Sequence, residues 1–282
     1  MRKLLFENFN FTNGEGGAIL WNGTNGTLKH CNFNNNTAIL GGGICWNGDN
    51  GNITSSTFTN NAAKHDGGGV YWVGTNGILI YSAFYSNSAA FGGGIWWLSQ
   101  NGKIYDCNFT NNSATSGDGG GLGWGGLKGF IIGSIFINNT ANRNGGGINW
   151  WGVNGVLIDS NFINNSADSN GGAVGWFGVN GTVSGSTFTS NSAKVSGGGI
   201  YWDTIGSMIN CNFVNSKSNQ YNGIHANKDL NIDDGSGIVY IFANGALSGI
   251  SIVVLNNETY YYPPNTNINL TKKKKNMPYQ NI

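Results

Sequence analysis

The chain has 282 residues, of which 48 are Gly and only 3 are Pro, with 10% charged residues, 13% aromatics and a formal net charge of +1. Average chains carry about 7% Gly and about 25% charge, and disordered chains are poor in aromatic and β-branched residues, so this chain can bury a core. No Gly-X-Y triplet runs through it, which excludes collagen, and its near-neutral balance argues against a nucleic-acid binder, which needs a basic face to neutralise phosphates.

The first residues, Met1-Arg-Lys-Leu-Leu-Phe-Glu, are basic, but their apolar run ends at a charge too soon for a secretory signal. The expectation is either a cytoplasmic protein or a frame that lacks its true beginning. No hydrophobic run reaches the roughly 18 residues of a membrane span. The four cysteines, Cys31, Cys45, Cys107 and Cys211, show no zinc spacing and are a poor count for a disulfide framework.

From Ile19 onward the chain repeats. Two or three small residues, mostly Gly, precede an aliphatic residue at Ile19, Ile44, Val70, Ile95, Leu122, Ile148, Val174 and Ile200, in steps of 25 to 27. Two residues after each stands Trp21, Trp46, Trp72, Trp97, Trp124, Trp150, Trp176 or Trp202. A turn usually written Asn-Gly follows, as at Asn25-Gly26 and Asn50-Gly51, with Gly129 and Gly206 closing two variants. Seven residues beyond each turn glycine comes Phe33, Phe58, Phe84, Phe109, Phe136, Phe162, Phe188 or Phe213. Between turn and Phe lie an aliphatic or Met column, from Leu28 to Met208, and a small column of Ser with Cys31, Cys107 and Cys211. After the Phe, x-x-Asn supplies Asn36, Asn61, Asn87, Asn112, Asn139, Asn165 and Asn191, failing at Ser216.

Short apolar alternations bounded by Gly and Asn-Gly read as strands, and a unit of this length has room for two or three of them but no long helix. A single unit cannot bury its face, whereas stacked units pair each strand in parallel with its copy about 4.8 Å away. The pattern predicts an all-β parallel solenoid of about eight to nine 26-residue coils, roughly 40 Å long at that spacing. The Asn column is expected to form an amide ladder, and the Cys-for-Ser exchange reads as a packing substitution. A degenerate ninth coil at Gly223-Ile224 brings the solenoid to about residue 232. Residues 233–264 read as a small β meander or cap, with strands at Ile238 to Phe242, Ile250 to Leu255 and Thr259 to Tyr262. Residues 265–282 read as a polar, Lys-rich, disordered tail.

The paired motifs GGAI/GGGI and FxxN resemble polymorphic outer-membrane-protein repeats. The chain as a whole resembles the adhesin-like surface proteins of methanogenic archaea, through these repeats from Asn10 to Ser218 and through the tail Gly237-Ile-Val-Tyr-Ile-Phe to Tyr260-Tyr-Tyr-Pro-Pro-Asn-Thr-Asn-Ile268. The resemblance implies a right-handed parallel β-helix, surface exposure and adhesion. Such proteins carry an export signal and an anchor, neither of which this sequence displays. A fragment of a longer surface protein is therefore expected, with Phe9 and Phe11 as the tail of a preceding coil.

The Trp column fits an interior ladder, since it shares a face with the aliphatic column; the alternative is an exposed platform for sugars. With the ladder inside, alternation turns Tyr71, Trp96, Leu98, Trp151, Phe177 and Tyr201 outward, as candidates for glycan or protein contact. Catalysis on a β-helix needs clustered carboxylates. The best pair, Asp106 and Asp159, is two coils apart with Gly133 between them. Asp66, Asp118 and Asp168 sit in variable loops, and His30, His65 and His225 share no column. No cofactor or metal is expected. Sequons at Asn22, Asn25, Asn52, Asn111, Asn138, Asn164 and Asn257 are glycan acceptors if the chain is exported. The sequence thus predicts a non-catalytic cell-surface adhesin or stalk segment, monomeric, touching glycans or proteins of other cells and no nucleic acid. A secreted polysaccharide lyase or glycoside hydrolase is the alternative.

Overall fold

The computed structural model describes residues 4–221, 223–227, 230–233, 252–255 and 258–261. Each coil contains four short strands, more than the two or three the unit length suggested. They belong to four parallel sheets of nine strands each, every strand paired with its copies in the coils before and after. In one coil these are Ile44–Trp46, Asn52–Thr54, Thr57–Thr59 and Ala62–Asp66. The fold is a β-solenoid of about nine turns, and among the described residues no helix is long and apolar enough to cross a membrane. The ninth coil contributes Ile224–Ala226 and Leu230–Asp233. Beyond it, Ile252–Leu255 and Glu258–Tyr261 pair antiparallel; the expected strand at Ile238 to Phe242 and the tail 265–282 lie outside the described residues.

Four corners connect the four strands, and with the exception of the turn after Trp202 each of those described carries one residue with positive φ. In the coil of Trp97 these are Asn101, Asp106, Asn111 and Gly119, at φ of 58°, 50°, 57° and 73°. The left-handed conformation costs most residues roughly 1–2 kcal/mol and suits Gly, Asn and Asp best. The Asn-Gly turn, the first Asn of each Asn-Asn pair and the leading Gly of each triplet are therefore corner residues. The fourth corner, just before the Ser/Cys column, holds His30, Ser55, Tyr81, Asp106, Gly133, Asp159, Gly185 and Asn210, all at positive φ.

Register places like on like: Ile44 pairs with Ile19 and Val70, and Trp46 with Trp21 and Trp72. The Trp column from Trp46 to Trp202 is fully buried, whereas Trp21 in the first coil is half-buried. Its indoles stack at 4.3–5.1 Å between centroids. The Phe column stacks at 4.6–5.0 Å, beginning at Phe6, which lies on Phe33. Phe9 pairs through its backbone with Asn36 and Thr37 and occupies the column that Asn fills in later coils.

That Asn column uses every hydrogen-bonding position of its amides. Asn87 Nδ2 donates to Asn112 Oδ1 and to the Phe58 carbonyl, each at 3.0 Å, while its Oδ1 accepts from the backbone N–H and the Nδ2 of Asn61, both at 3.0 Å. The same set recurs from Asn61 to Asn165; at the ends Asn36 Oδ1 accepts from Phe9 N–H, Asn191 Nδ2 donates to the Phe162 carbonyl, and the column stops at Ser216, whose hydroxyl reaches the Phe188 carbonyl. A second, solvent-exposed ladder runs the opposite way, with Asn50, Asn76 and Asn101 each donating to the corner Asn of the preceding coil. The Ser/Cys column is also polar. Its members accept backbone N–H groups from the preceding coil, including Ser82 N–H to Cys107 Sγ at 3.4 Å, so the Cys-for-Ser exchange is a hydrogen-bond substitution as well as a packing one.

An unpaired buried polar group costs about 1–3 kcal/mol, and a solvated one costs little. Asn112→Ala strands a backbone N–H, an amide and a carbonyl, and is expected to destabilise by about 3 kcal/mol or more. Asn101→Gly, which removes an amide of the exposed ladder and keeps a residue suited to the positive φ of that corner, is expected to cost less than about 1 kcal/mol, with guanidinium unfolding as the measurement.

Candidate functional site

The outward side of the Trp-bearing sheet presents two columns, one at the middle of each strand and one just beyond its end. The middle column reads Leu20, Cys45, Tyr71, Trp96, Gly123, Asn149, Gly175, Tyr201 and His225. The second includes Leu98, Gly125, Trp151 and Phe177. Sequence reasoning treated the candidate aromatics as freely exposed, but Tyr71, Trp96, Trp151, Phe177 and Tyr201 are half-buried. Four of them bury area against one another or a neighbouring ring. Trp96 meets the edge of Phe91 at 5.5 Å and of Trp151 at 5.4 Å; Trp151 faces Phe177 at 6.4 Å, and Phe177 faces Tyr201 at 5.6 Å. Tyr71 makes no ring contact with them; its phenol pKa is raised by burial and by the negative charge of Asp66 and Glu15 nearby.

Glycine makes the cross-coil contact possible. Trp96 and Trp151 come from coils two apart, and in the coil between them the two columns hold Gly123 and Gly125. A Cβ on Gly123 would run into the Trp96 ring, and one on Gly125 would stand 3.3 Å from Leu98 Cδ2. Gly175 permits a similarly close approach: a Cβ there would stand 2.5 Å from Asn149 Oδ1 and 3.2 Å from the Phe177 ring. Sequence reasoning missed these three glycines, whose signal is Gly in columns that elsewhere carry large side chains.

Trp96, Leu98, Trp151 and Phe177 form one side of a cleft of about 580 Å³, within the range of small-molecule sites. The other side comes from the variable loops: Asp66, Phe91, Asp118, Arg143 and Asn144. Asp118 is 3% exposed. Its Oδ1 accepts from Asn144 N–H at 2.8 Å and Asn144 Nδ2 at 3.0 Å, with Arg143 Nε at 3.9 Å. Burial pushes the Asp66 carboxyl pKa up against the opposing pull of His65. The third loop aspartate, Asp168, is away from the cleft and pairs with Lys194 at 2.8 Å. Asn149 beneath the aromatics is fully buried, and neither its Oδ1 nor its Nδ2 has a partner.

The other candidates resolve into structural positions. Asp106 and Asp159 are exposed corner residues whose carboxylates lie over Gly133 and Gly185 of the following coils, so the column collects residues that tolerate positive φ. The three histidines share no column, yet the last coil, in which His225 pairs with Tyr201, brings His225 Nδ1 onto Ser196 Oγ, 29 residues earlier in the chain. Ser196 is 1% exposed, and burial lowers the His225 pKa, opposed by Asn227 and Asp203. That contact lies inside the loop and offers no accessible nucleophile. Among the described residues no group of three or more His, Cys, Asp or Glu could hold a metal ion. The sequon residues Asn22, Asn25, Asn111, Asn138 and Asn164 are exposed and Asn52 is half-buried; Asn257 lies outside the described residues.

Two stretches, residues 55–71 and 185–201, match the family described as the Chlamydia polymorphic membrane protein repeat. Both run from the corner before the Ser/Cys column, through FxxN and the Gly triplet, into the Trp-bearing strand, so the matched unit is one phase of the coil. The chain thus carries repeats of the polymorphic-membrane-protein type on a β-solenoid. No curated protein and no solved structure matches it.

All four cysteines are free and buried. Burial pushes the Cys107 and Cys211 thiols up to about 12, and burial with the Glu15 charge does the same for Cys45. A thiol with a raised pKa stays protonated at neutral pH and is a poor nucleophile. The folded protein is therefore expected to resist a disulfide-exchange reagent at pH 8, with all four thiols reacting once guanidinium is added.

Proposed function

We propose that this chain is a non-catalytic part of a surface-exposed adhesin-type protein. The stacked coils serve as a stiff stalk, and the aromatic cleft touches glycans or proteins of other cells. Support for surface exposure comes from the two coils that match the polymorphic membrane protein repeat. Support for contact comes from the cleft itself: the ring chain from Trp96 to Tyr201 occupies outward columns that the interior ladders do not need. Rings packed in this way stay half-exposed and pre-ordered, which lowers the entropy lost when a partner settles on them.

The alternative, carbohydrate cleavage, draws on Asp66 and Asp118, which share a column two coils apart with Phe91 between them. A general base must reach its substrate within hydrogen-bond distance. Asp118 is enclosed, and its Oδ1 is already engaged by Asn144 and Arg143. The geometry favours contact without turnover.

Beads coated with the protein are expected to adhere to cells of a mixed microbial and animal panel, and beads coated with the Trp96→Ala/Trp151→Ala variant are expected to lose at least about tenfold of that adhesion, a factor equivalent to about 1.4 kcal/mol. Equal adhesion of both, or release of reducing ends from uronate or neutral polysaccharides by the purified protein, contradicts the proposal.

A further inference from the structure

From the cleft's chemistry we infer that its ligand is a neutral pyranose oligosaccharide, lying along the solenoid axis with its apolar C–H groups against the exposed parts of Trp96 and Trp151, whose rings are inclined to each other by 61°. This rests on the contact role proposed above and names the ligand class. The cleft crosses several coils, each rising about 4.8 Å, and its rings follow one another at 5.4–6.4 Å, so the ring chain suits an extended chain of small rings. Its concavity, about 580 Å³, suits an oligosaccharide; a protein partner needs a broader face of about 800 Å².

Charge selects against acidic polymers. Asp66 and Asp118 place two carboxylates at the cleft against the single guanidinium of Arg143, and like charges brought together at an interface are repelled. The unpaired polar groups alternate in kind. The Arg143 side chain is 58% exposed and meets Asp118 through Nε at 3.9 Å, leaving its terminal nitrogens as donors at the rim. Among the described residues none donates a hydrogen bond to the Asp66 carboxylate, which lines the cleft and leaves an acceptor there. Hydroxyls both donate and accept, so a polyol satisfies both where a cation or an anion satisfies one.

Asn149 is an independent observation. A fully buried amide with no partner is rare and costly. Gly175 packs against it so closely that no Cβ would fit between the Asn149 amide and the Phe177 ring. A sugar hydroxyl entering as Phe177 yields would supply the missing hydrogen bonds, so the amide is held for a ligand at a cost to stability. The second concavity, about 440 Å³ along the exposed Asn ladder, lacks both features: it has no aromatic ring, and Asn25, Asn50, Asn76 and Asn101 bond to one another.

The test is calorimetric titration of the whole chain with cellohexaose, xylohexaose, mannohexaose, chitohexaose and, as the acidic probe, hexagalacturonate. At least one neutral hexasaccharide is expected to bind with an affinity unchanged between 50 and 500 mM salt, at roughly constant strength because no ion pair forms. Trp151→Ala is expected to weaken it at least tenfold and Arg143→Ala several-fold, with thermal unfolding checking that each variant is folded. Asn149→Ala is expected to raise the unfolding temperature and weaken binding together. Binding of hexagalacturonate alone, a steep salt dependence, no binding of any neutral probe, or an Asn149→Ala variant that binds at full strength overturns the inference. If coated beads adhere to cells while every neutral probe fails, the ligand class is wrong and the contact role stands; failure of adhesion itself removes the contact role.

Discussion

Every coil must turn four corners in about 26 residues, and all the described corners except the one after Trp202 do so with one residue in the left-handed region. That requirement organises the molecule. Strands of two to six residues cannot hold a sheet alone, so their stability comes from pairing with identical strands above and below. Pairing is possible only when each corner is made the same way in every coil. Gly67, Gly92 and Gly119 serve one corner, Asn50, Asn76 and Asn101 another, and Asn60, Asn111 and Asn138 a third. Once the corners agree, register follows. Trp falls on Trp, Phe on Phe, and the second Asn of each Asn-Asn pair is carried inside, where its amide meets the next.

These interior columns consume their own chemistry. The Asn amides have no valence left, the Ser and Cys groups bond along the column, and the aromatic stacks are closed to solvent. Anything that meets another molecule must come from the outward columns and the variable loops. Several departures from the repeat lie there: Trp96 leans over Gly123, Asn149 is buried without a partner, and the Arg143 guanidinium faces solvent beside an enclosed Asp118, while inside the ladder the Nε1 groups of Trp97, Trp150 and Trp202 are also buried without a partner. Breaks in the repeat thus mark the site, while the repeat itself marks the scaffold.

The same division explains what could be read from the sequence. Columns occupied by one residue type in every coil were legible, and they fixed the coil length, the strand pairing and the Phe and Trp positions. The corner before the Ser/Cys column was not, because His30, Ser55, Tyr81, Asp106 and Asn210 share a backbone conformation and no side-chain chemistry; two of its aspartates therefore resembled a catalytic pair. Trp96, Trp151 and Phe177 stood out as large outward residues. Their opposite wall did not, because Asp66, Asp118 and Arg143 belong to loops of unequal length whose alignment across coils emerges only after folding. Ser196 and His225 met for a similar reason, one coil apart with no motif between them.

The corner constraint is tested most directly by comparing two tyrosines. Tyr81 is at a corner with φ of 49° and is 65% exposed, whereas Tyr105 is in a strand. Removing a side chain from a strand interior destabilises, and replacing a non-glycine residue by Gly at positive φ relieves strain of about 1 kcal/mol. In guanidinium unfolding, Tyr81→Gly is predicted to raise the midpoint and Tyr105→Gly to lower it. A lowered midpoint for both would contradict the account.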